Sequence, residues 1–356
     1  MIRWEPRPQP GPLLSVGARV LALLAALLLA ALPLALAGAP IGTAYALMAQ
    51  GAAGSVFALT ETLTRATPLL FTGLAATVAF QARLFNIGGE GQLYAGALAA
   101  VAVGAGAAPV PSALLLPLVL LAAALAGALL MAGPAWLRAR FGVDEVVTTL
   151  LLNFVVLLFV QMMVEGPMKD PMGNGWPQSE PVLPEAALPI LVERMRLHAG
   201  FPLGLLACGL AHVLLARTAF GLRVRAVGGN AAAAAHAGIP VTRTLVLVGL
   251  LSGALAGLGG ASEVAGLKGY LTADLSRGFG YAGIVVAMAA GLQPLLVAPA
   301  AVLVAGVFVG ADTMGRTLGV SSYIADLIVA LALLCVLVGG LFVQYRPRIG
   351  RWRVGR

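Results

Sequence analysis

The sequence predicts an all-α fold, a polytopic membrane helix bundle of about ten transmembrane helices with both termini cytoplasmic. Three observations predict it. Gly91–Leu137 runs for 47 residues without one charged side chain, and a bilayer core takes roughly 20 apolar residues per helical crossing, so this stretch alone holds two spans. Hydrophobic residues make up 60% of the chain and charged residues 10%, whereas soluble domains carry about 25% charge. The 45 glycines among 356 residues fit membrane helices, where Gly is commoner than in soluble ones.

In chain order the apolar runs place spans at 20–38, 66–82, 87–107, 112–137, 145–165, 200–216, 244–266, 279–293, 296–312 and 322–343. The first follows Arg3, Arg7 and Arg19, and Ala35-Leu36-Ala37 imitates a signal-cleavage site. The uncharged run from Val20 to Ala39 is long for a signal core, so it reads as an uncleaved first span. Span 279–293 is short and carries Gly280, Gly283 and Gly291, the mark of a broken or re-entrant segment, with Gln293-Pro294 closing it. The spacing Gly249-xxx-Gly253-xxx-Gly257, then Gly259 and Gly260, implies close helix–helix approach inside the bundle.

Basic residues set the orientation. With the N-terminus inside, the inner side holds Arg3, Arg7, Arg19, Arg83, Arg138, Arg140, Arg217, Arg223, Arg225, Arg243 and five tail arginines, 15 in all, against seven outside. The chain thus divides into a cytoplasmic N-terminal tail at 1–19, a transmembrane domain at 20–343 and a basic cytoplasmic tail at 344–356. An outer loop at 166–199, rich in Pro and acidic residues, reads as a partly ordered cap, and a cytoplasmic loop spans 217–243. Glu263, Asp312 and Asp326 fall near outer helix ends, where carboxylates are usually solvated, with contact to a docking protein the alternative.

Several chemistries are not encoded. Cys208 and Cys335 sit in apolar runs as packing residues, and His198, His212 and His236 have no metal-ligand spacing. The two lysines, Lys169 and Lys268, follow Met and Leu, so no Gly-Lys-Ser/Thr phosphate loop is present. The chain is expected to be no enzyme and to hold no catalytic residue, metal or cofactor. The net charge of +8 reports inner loops facing lipid headgroups; nucleic acid is not an expected partner.

Two polar motifs interrupt the apolar pattern. The first is Phe85-Asn86-Ile87-Gly88-Gly89-Glu90-Gly91-Gln92 at the junction of the second and third spans. Glu90 is tolerable near a helix N-terminus, and unwound glycine backbone at membrane depth is found where it is buried in protein or lines a cavity. A tight turn with a capping Glu is the alternative reading. Asn153 and Gln161, eight residues apart, share one face of the fifth span; such amides either bond between helices or line a path. The second motif is Gly221-Leu222-Arg223-Val224-Arg225-Ala226-Val227-Gly228-Gly229-Asn230, then Ala231–Ala235, His236, Ala237, Gly238, Ile239 and Pro240. Asn230 suits an N-cap, the alanines favour helix, Gly238 suits the position after it and Pro240 blocks continuation. A helix of about two turns needs a partner surface to be stable.

The first motif resembles the signature of nucleoside-type ATP-binding-cassette (ABC) importer permeases, relatives of the ribose, simple-sugar and branched-chain amino-acid permeases. Leu93-Tyr94-Ala95-Gly96-Ala97, Glu145-Val146-Val147-Thr148-Thr149-Leu150-Leu151-Leu152-Asn153 and Gly278-Phe279-Gly280-Tyr281-Ala282-Gly283-Ile284-Val285-Val286-Ala287 continue the resemblance. The length and long outer loop are similar to those of the larger of two paired permeases. The resemblance implies a bacterial inner-membrane importer subunit for nucleosides or a related small polar solute. It implies three partners: an ABC ATPase that binds the ATP, a second paralogous permease and an extracytoplasmic solute-binding lipoprotein. It also implies that the 230–238 helix is the coupling helix, with Arg223, Arg225, Gly229, Asn230, His236 and Gly238 at the ATPase contact. Asn86, Glu90, Gln92 and Asn153 are the candidate solute-path residues. A sugar or branched-chain amino acid as cargo is the alternative, and an ion-coupled carrier is a further one.

Overall fold

The computed structural model describes residues 2–6, 12–106 and 110–349. They form a helical protein whose described residues divide into two compact units, those within 55–305 and those within 1–54 and 306–356. Among the described residues, seven helices are long and apolar enough to cross a bilayer, or eight if one bent pair counts as a single span. The outward faces carry Leu125, Leu129, Phe154, Leu158, Leu206 and Leu210, all exposed. So large an apolar surface is stable against lipid and not against water.

In the larger unit, α3 (Val56–Gln81) starts ten residues before the span expected at 66–82. Ser55 supplies the reason, its Oγ accepting the Ala58 N–H at 3.0 Å. The charges in this added stretch are accommodated: Glu61 pairs with Arg196, and the Arg65 guanidinium lies 6.0 Å from the Phe279 ring centroid. Next come α4 (Gly89–Gly104), α5 (Ser112–Phe141), α6 (Glu145–Glu165) and α7 (Gly200–Arg217). The segment expected as a loop at 217–243 is mostly helical, with α8 (Ala219–Gly229) and α9 (Ala231–His236). Then follow α10 (Val241–Glu263), which widens into a π-helical turn at Val264–Lys268, and α11 (Phe279–Ala289).

α10 packs most extensively on α5, then on α4 and α3. Its glycines serve internal packing as expected. A Cβ on Gly253 would fall 2.2 Å from the Gly127 carbonyl oxygen, and one on Gly127 would fall 2.2 Å from that of Gly253. Here α10 and α5 touch backbone to backbone. The segments expected as spans at 87–107 and 279–293 become α4 and α11, of 16 and 11 residues. At 1.5 Å per residue they reach about 24 and 17 Å, less than a bilayer core.

The segment 166–199 is held by backbone hydrogen bonds. Ser179 N–H donates to Leu271 O at 2.9 Å, Val182 N–H to Gly269 O at 2.8 Å and Leu188 N–H to Ala265 O at 2.7 Å. This cap therefore sits on the π-helical turn and the loop after it. Glu263 departs from expectation: it is 1% exposed, not solvated. The reason is that α10 already runs between α3 and α4 one turn before it: a Cβ on Gly259 would meet Phe71 and one on Gly260 the Leu93 carbonyl.

In the second unit, α1 (Pro12–Leu36) ends near Gly38 (φ 69°) and the chain bends by 120° into α2 (Ile41–Ala53), a helix not anticipated from the sequence. α12 (Pro294–Leu318), which belongs to this unit from residue 306 onward, and α13 (Ser322–Gln344) follow. Ala30, Leu34, Ala44, Met314 and Ile328 form this unit's core. The two predicted tails meet as a short antiparallel ribbon of β1 (Ile2–Pro6) and β2 (Tyr345–Ile349), an addition to the all-α expectation. Arg7 and the tail arginines at 351, 353 and 356 lie outside the described residues.

Candidate functional site

Three separated stretches of sequence converge at the start of α4. Asn86 is 3% exposed and fully engaged. Its Nδ2 donates to Gln92 Oε1 at 2.8 Å and to Ser252 Oγ at 2.9 Å. Its Oδ1 accepts from Gly88 N–H and from Gln92 Nε2, both at 2.9 Å. Ser252 in α10 passes its own proton to Ala75 O in α3 at 2.8 Å. One asparagine thus ties the unwound 82–88 segment to α4, α10 and α3.

Asn153 on α6 closes the other side. Its Oδ1 accepts from Gly91 N–H at 2.8 Å, and its Nδ2 donates to Ile87 O at 3.0 Å and Tyr281 Oη at 3.1 Å. Thr149 Oγ1, one turn earlier, accepts from Ile87 N–H at 3.2 Å. A turn before that, Glu145 accepts from Phe85 N–H at 3.1 Å and pairs with Arg138 Nε at 3.1 Å. The i, i+4, i+8 spacing of Glu145, Thr149 and Asn153 places them on one helical face, so that face reads the backbone of residues 85–91 rung by rung.

Glu90 occupies the second position of α4, as a helix N-terminus favours. Its Oε2 accepts the Gly280 N–H at 2.7 Å, in the first turn of α11. The N-termini of two short helices therefore abut, and the Glu90 carboxyl, itself in the first turn of α4, accepts from the first turn of α11. Only glycine permits the approach: a Cβ on Gly280 would fall 2.1 Å from Glu90 N. On the far side, Tyr94 Oη donates to Ala273 O at 2.7 Å and accepts from Ser276 N–H at 3.0 Å, pinning the 269–278 loop. The structure brings Asn86, Glu90, Gln92 and Asn153 into one neighbourhood, all buried and bonded to protein groups.

The second motif folds as two helices. Thr218 caps α8, and Asn230 caps α9 by accepting Ala233 N–H at 3.1 Å. Gly238 follows with φ 80°, the left-handed conformation expected of it. α9 offers its surface outward: only Ala234 is buried, while Ala231, Ala232, Ala233, Ala235 and His236 are exposed. Gly229 is exposed, and a Cβ there would meet nothing within 4 Å. His236 Nδ1 donates to Ala232 O at 2.9 Å, leaving Nε2 outward. Arg225 donates to the Leu215 carbonyl near the end of α7, and Arg223 Nε to Ala219 O at 3.4 Å. Part of each guanidinium thus serves the fold.

Sequence reasoning gave no role to Glu145, Thr149, Ser252 or Tyr281. The spacing of the α6 residues could have found the first two; Ser252 and Tyr281 carry no sequence signal beyond being polar in apolar spans. Among the described residues, no group of three His, Cys, Asp or Glu side chains could hold a metal ion.

Comparison with known proteins gives this arrangement a context. The family described as branched-chain amino acid transport system / permease component matches residues 58–338. The chain is 36% identical to a glucose ABC transporter permease protein of Haloferax volcanii, covering 99% of this chain and 95% of that one. It is 34% identical to a guanosine ABC transporter permease protein of Bacillus subtilis, covering 89% and 91%. It is 32% identical to a nucleoside ABC transporter permease protein of Lactococcus lactis, covering 74% of each. No solved structure matches the chain.

Proposed function

We propose that this chain, which belongs to the permease component family of branched-chain amino acid transport systems, is the membrane subunit of an ABC importer for nucleosides. The observation that carries the mechanism is α9, a short helix capped at both ends, exposed on nearly every side and made of alanines. A two-turn helix presented to solvent with no bulky side chains is a docking element: its backbone can lie close in a groove of another protein. That protein is the ATPase, which binds the ATP and pushes on α9 as its halves close. Gly229 and Asn230 shape the contact from one end, His236 and Gly238 from the other, and Arg223 and Arg225 offer their remaining N–H groups to acidic partners.

Movement at α9 has a route into the bundle. α8 buries Val224, Val227 and Gly228, and a Cβ on Gly228 would fall 2.0 Å from Gln81 O at the end of α3. α3 leads into the 82–88 segment, so displacement of α8 reaches the junction of α4, α6 and α11. Rocking of helices around such broken segments is the general logic of alternating access. Asn86, Gln92 and Asn153 act in the solute path as its supporting wall, and Glu90 holds together the two helix ends that part or rotate. The importer reading adds ten crossings, cytoplasmic termini, the bacterial inner membrane, a second permease and an extracytoplasmic solute-binding lipoprotein.

The guanosine and nucleoside relatives support nucleosides as cargo. The glucose relative, which covers nearly the whole chain, favours a sugar as the second reading. Solute-stimulated ATP hydrolysis by the complex assembled in proteoliposomes tests both: stimulation by guanosine or adenosine supports the first, and stimulation by glucose alone replaces it with the second.

A further inference from the structure

Four glutamates are buried in the larger unit, and three have visible partners. Glu61 takes Arg196, Glu90 takes Gly280 N–H, and Glu145 takes Phe85 N–H and Arg138. Glu263 is the most buried of the four, yet neither of its carboxylate oxygens receives a hydrogen bond from the described residues. Retaining a buried carboxylate without donors is among the costliest things a fold does, so a group kept this way invites a functional explanation. Arg65, Arg196 and Lys268 act on Glu263 through their charges without donating to it.

The backbone at this point is also unusual. Glu263 ends α10 and adjoins the π-helical turn Val264–Lys268, and such turns concentrate at functional sites. The turn is clamped from outside, because Leu188 N–H bonds Ala265 O at 2.7 Å and the His198 ring packs where a Cβ on Gly266 would stand. Tyr94, one helical turn beyond Glu90 on α4, lies within the electrostatic reach of Glu263. Glu263 therefore lies on α10 eleven residues beyond Ser252, the residue that meets Asn86 at the junction, next to a π-helical turn that the 166–199 segment holds in place.

We infer that Glu263 is a solute-contact residue whose two carboxylate oxygens accept a pair of adjacent hydrogen-bond donors from an uncharged solute. A carboxylate is acceptor-only, and two parallel donors satisfy it best. The positive charges of Arg65, Arg196 and Lys268 that act on Glu263 disfavour a cationic cargo and leave neutral donors as the fitting chemistry. Two parts of a nucleoside present such a pair: the vicinal hydroxyls of the ribose, and the ring N–H with the exocyclic amine of guanine. The vicinal hydroxyls of a sugar present the same chemistry. This inference rests on the importer reading.

The test uses the complete complex in proteoliposomes, with adenosine, 2′,3′-dideoxyadenosine, guanosine, inosine and glucose as probes. Wild type, Glu263→Gln and Glu263→Leu are compared by the KM and kcat of solute-stimulated ATP hydrolysis. Two bonds to a charged acceptor correspond to a KM rise of about tenfold or more in Glu263→Gln, with kcat changing much less. The variant should also lose the wild-type preference for adenosine over its dideoxy analogue if the ribose is held. If the base is held, it should lose the preference for guanosine over inosine. A Glu263→Gln complex with wild-type KM and both preferences intact overturns the inference. A wild-type complex stimulated by none of the probes strikes the importer reading itself and removes the inference with it. For variants that fail to assemble, Glu263→Cys in a Cys208→Ala, Cys335→Ala background supplies a second readout, the labelling rate with a small methanethiosulfonate reagent. Slowing of labelling by the transported solute supports the contact; an unchanged rate overturns it.

Discussion

Replacing Asn86 by Leu removes four hydrogen bonds from a site without water access. Ser252 keeps its bond to Ala75 O, but Gln92 loses partners at both ends of its amide and Gly88 N–H loses its acceptor. Gln92 is 1% exposed, so solvent cannot compensate. At about 0.6 kcal/mol per bond, the average seen between membrane helices, the loss is roughly 2 kcal/mol. Counted as three stranded polar groups at about 1 kcal/mol or more each, it is at least about 3 kcal/mol. The expected destabilisation is therefore about 2–4 kcal/mol, read as a fall of several degrees in the thermal melting of the detergent-purified chain. Adding Gln92→Leu removes the stranded amide, so the double variant should recover a substantial part of the loss, since exchanging both partners for apolar groups is far milder than removing one. Solute uptake should fall in the single variant. A single variant that melts like wild type, or a double variant that simply adds two losses, would refute the network as described.

Three further outcomes follow from other parts of the structure. Gly229→Trp should leave folding intact, because a Cβ at this exposed position meets nothing, while abolishing solute-stimulated ATP hydrolysis in the assembled complex; normal stimulation removes the docking assignment. Gly253→Ala forces a methyl to 2.2 Å from Gly127 O and should lower the yield of folded protein sharply, whereas Gly133→Ala, which meets nothing within 4 Å, should not; equal behaviour of the two contradicts the backbone contact of α5 with α10. His198 in the 166–199 segment is wholly buried, and burial holds its imidazole down to about 4. Since this lies below the unfolded value of about 6.5, the contribution is fully present above that pH and is lost as pH falls toward 4, by up to roughly 3 kcal/mol. Melting temperature should thus drop between pH 7.5 and pH 5, and His198→Gln should flatten that drop; identical profiles would sink the assignment.

Much of the architecture was legible because the bilayer imposes it. Long uncharged runs mark α5, α6 and α10 within a few residues, and Asn230 and Gly238 delimit α9 by capping chemistry alone. The departures share a cause. Polar and charged residues locally signal the end of a span, whereas Glu61 and Arg65 continue α3 because Arg196 and Phe279, far away in sequence, receive them. α2 was missed since nothing local separates a helix after Pro40 from a loop. The junction motif was found by its glycines and amides, but its partners were not, because hydrogen bonds such as Glu90 to Gly280 join residues 190 positions apart. The burial of Glu263 has the same origin: Phe71 on α3 and Leu93 on α4, which flank the end of α10, lie more than 160 residues earlier in sequence, and local pattern does not show them.

The proposed role of α9 is to be the surface on which a separate ATPase acts. It is tested most directly by placing Ala232→Cys on the exposed face of α9 in the assembled complex and applying a short bifunctional thiol-to-amine crosslinker. Cys208 and Cys335 are buried, so background reaction is low. The expected product is an adduct with the ATPase subunit whose yield changes when a non-hydrolysable ATP analogue is added. An intact, transport-competent complex that gives no ATPase adduct from this position would contradict it.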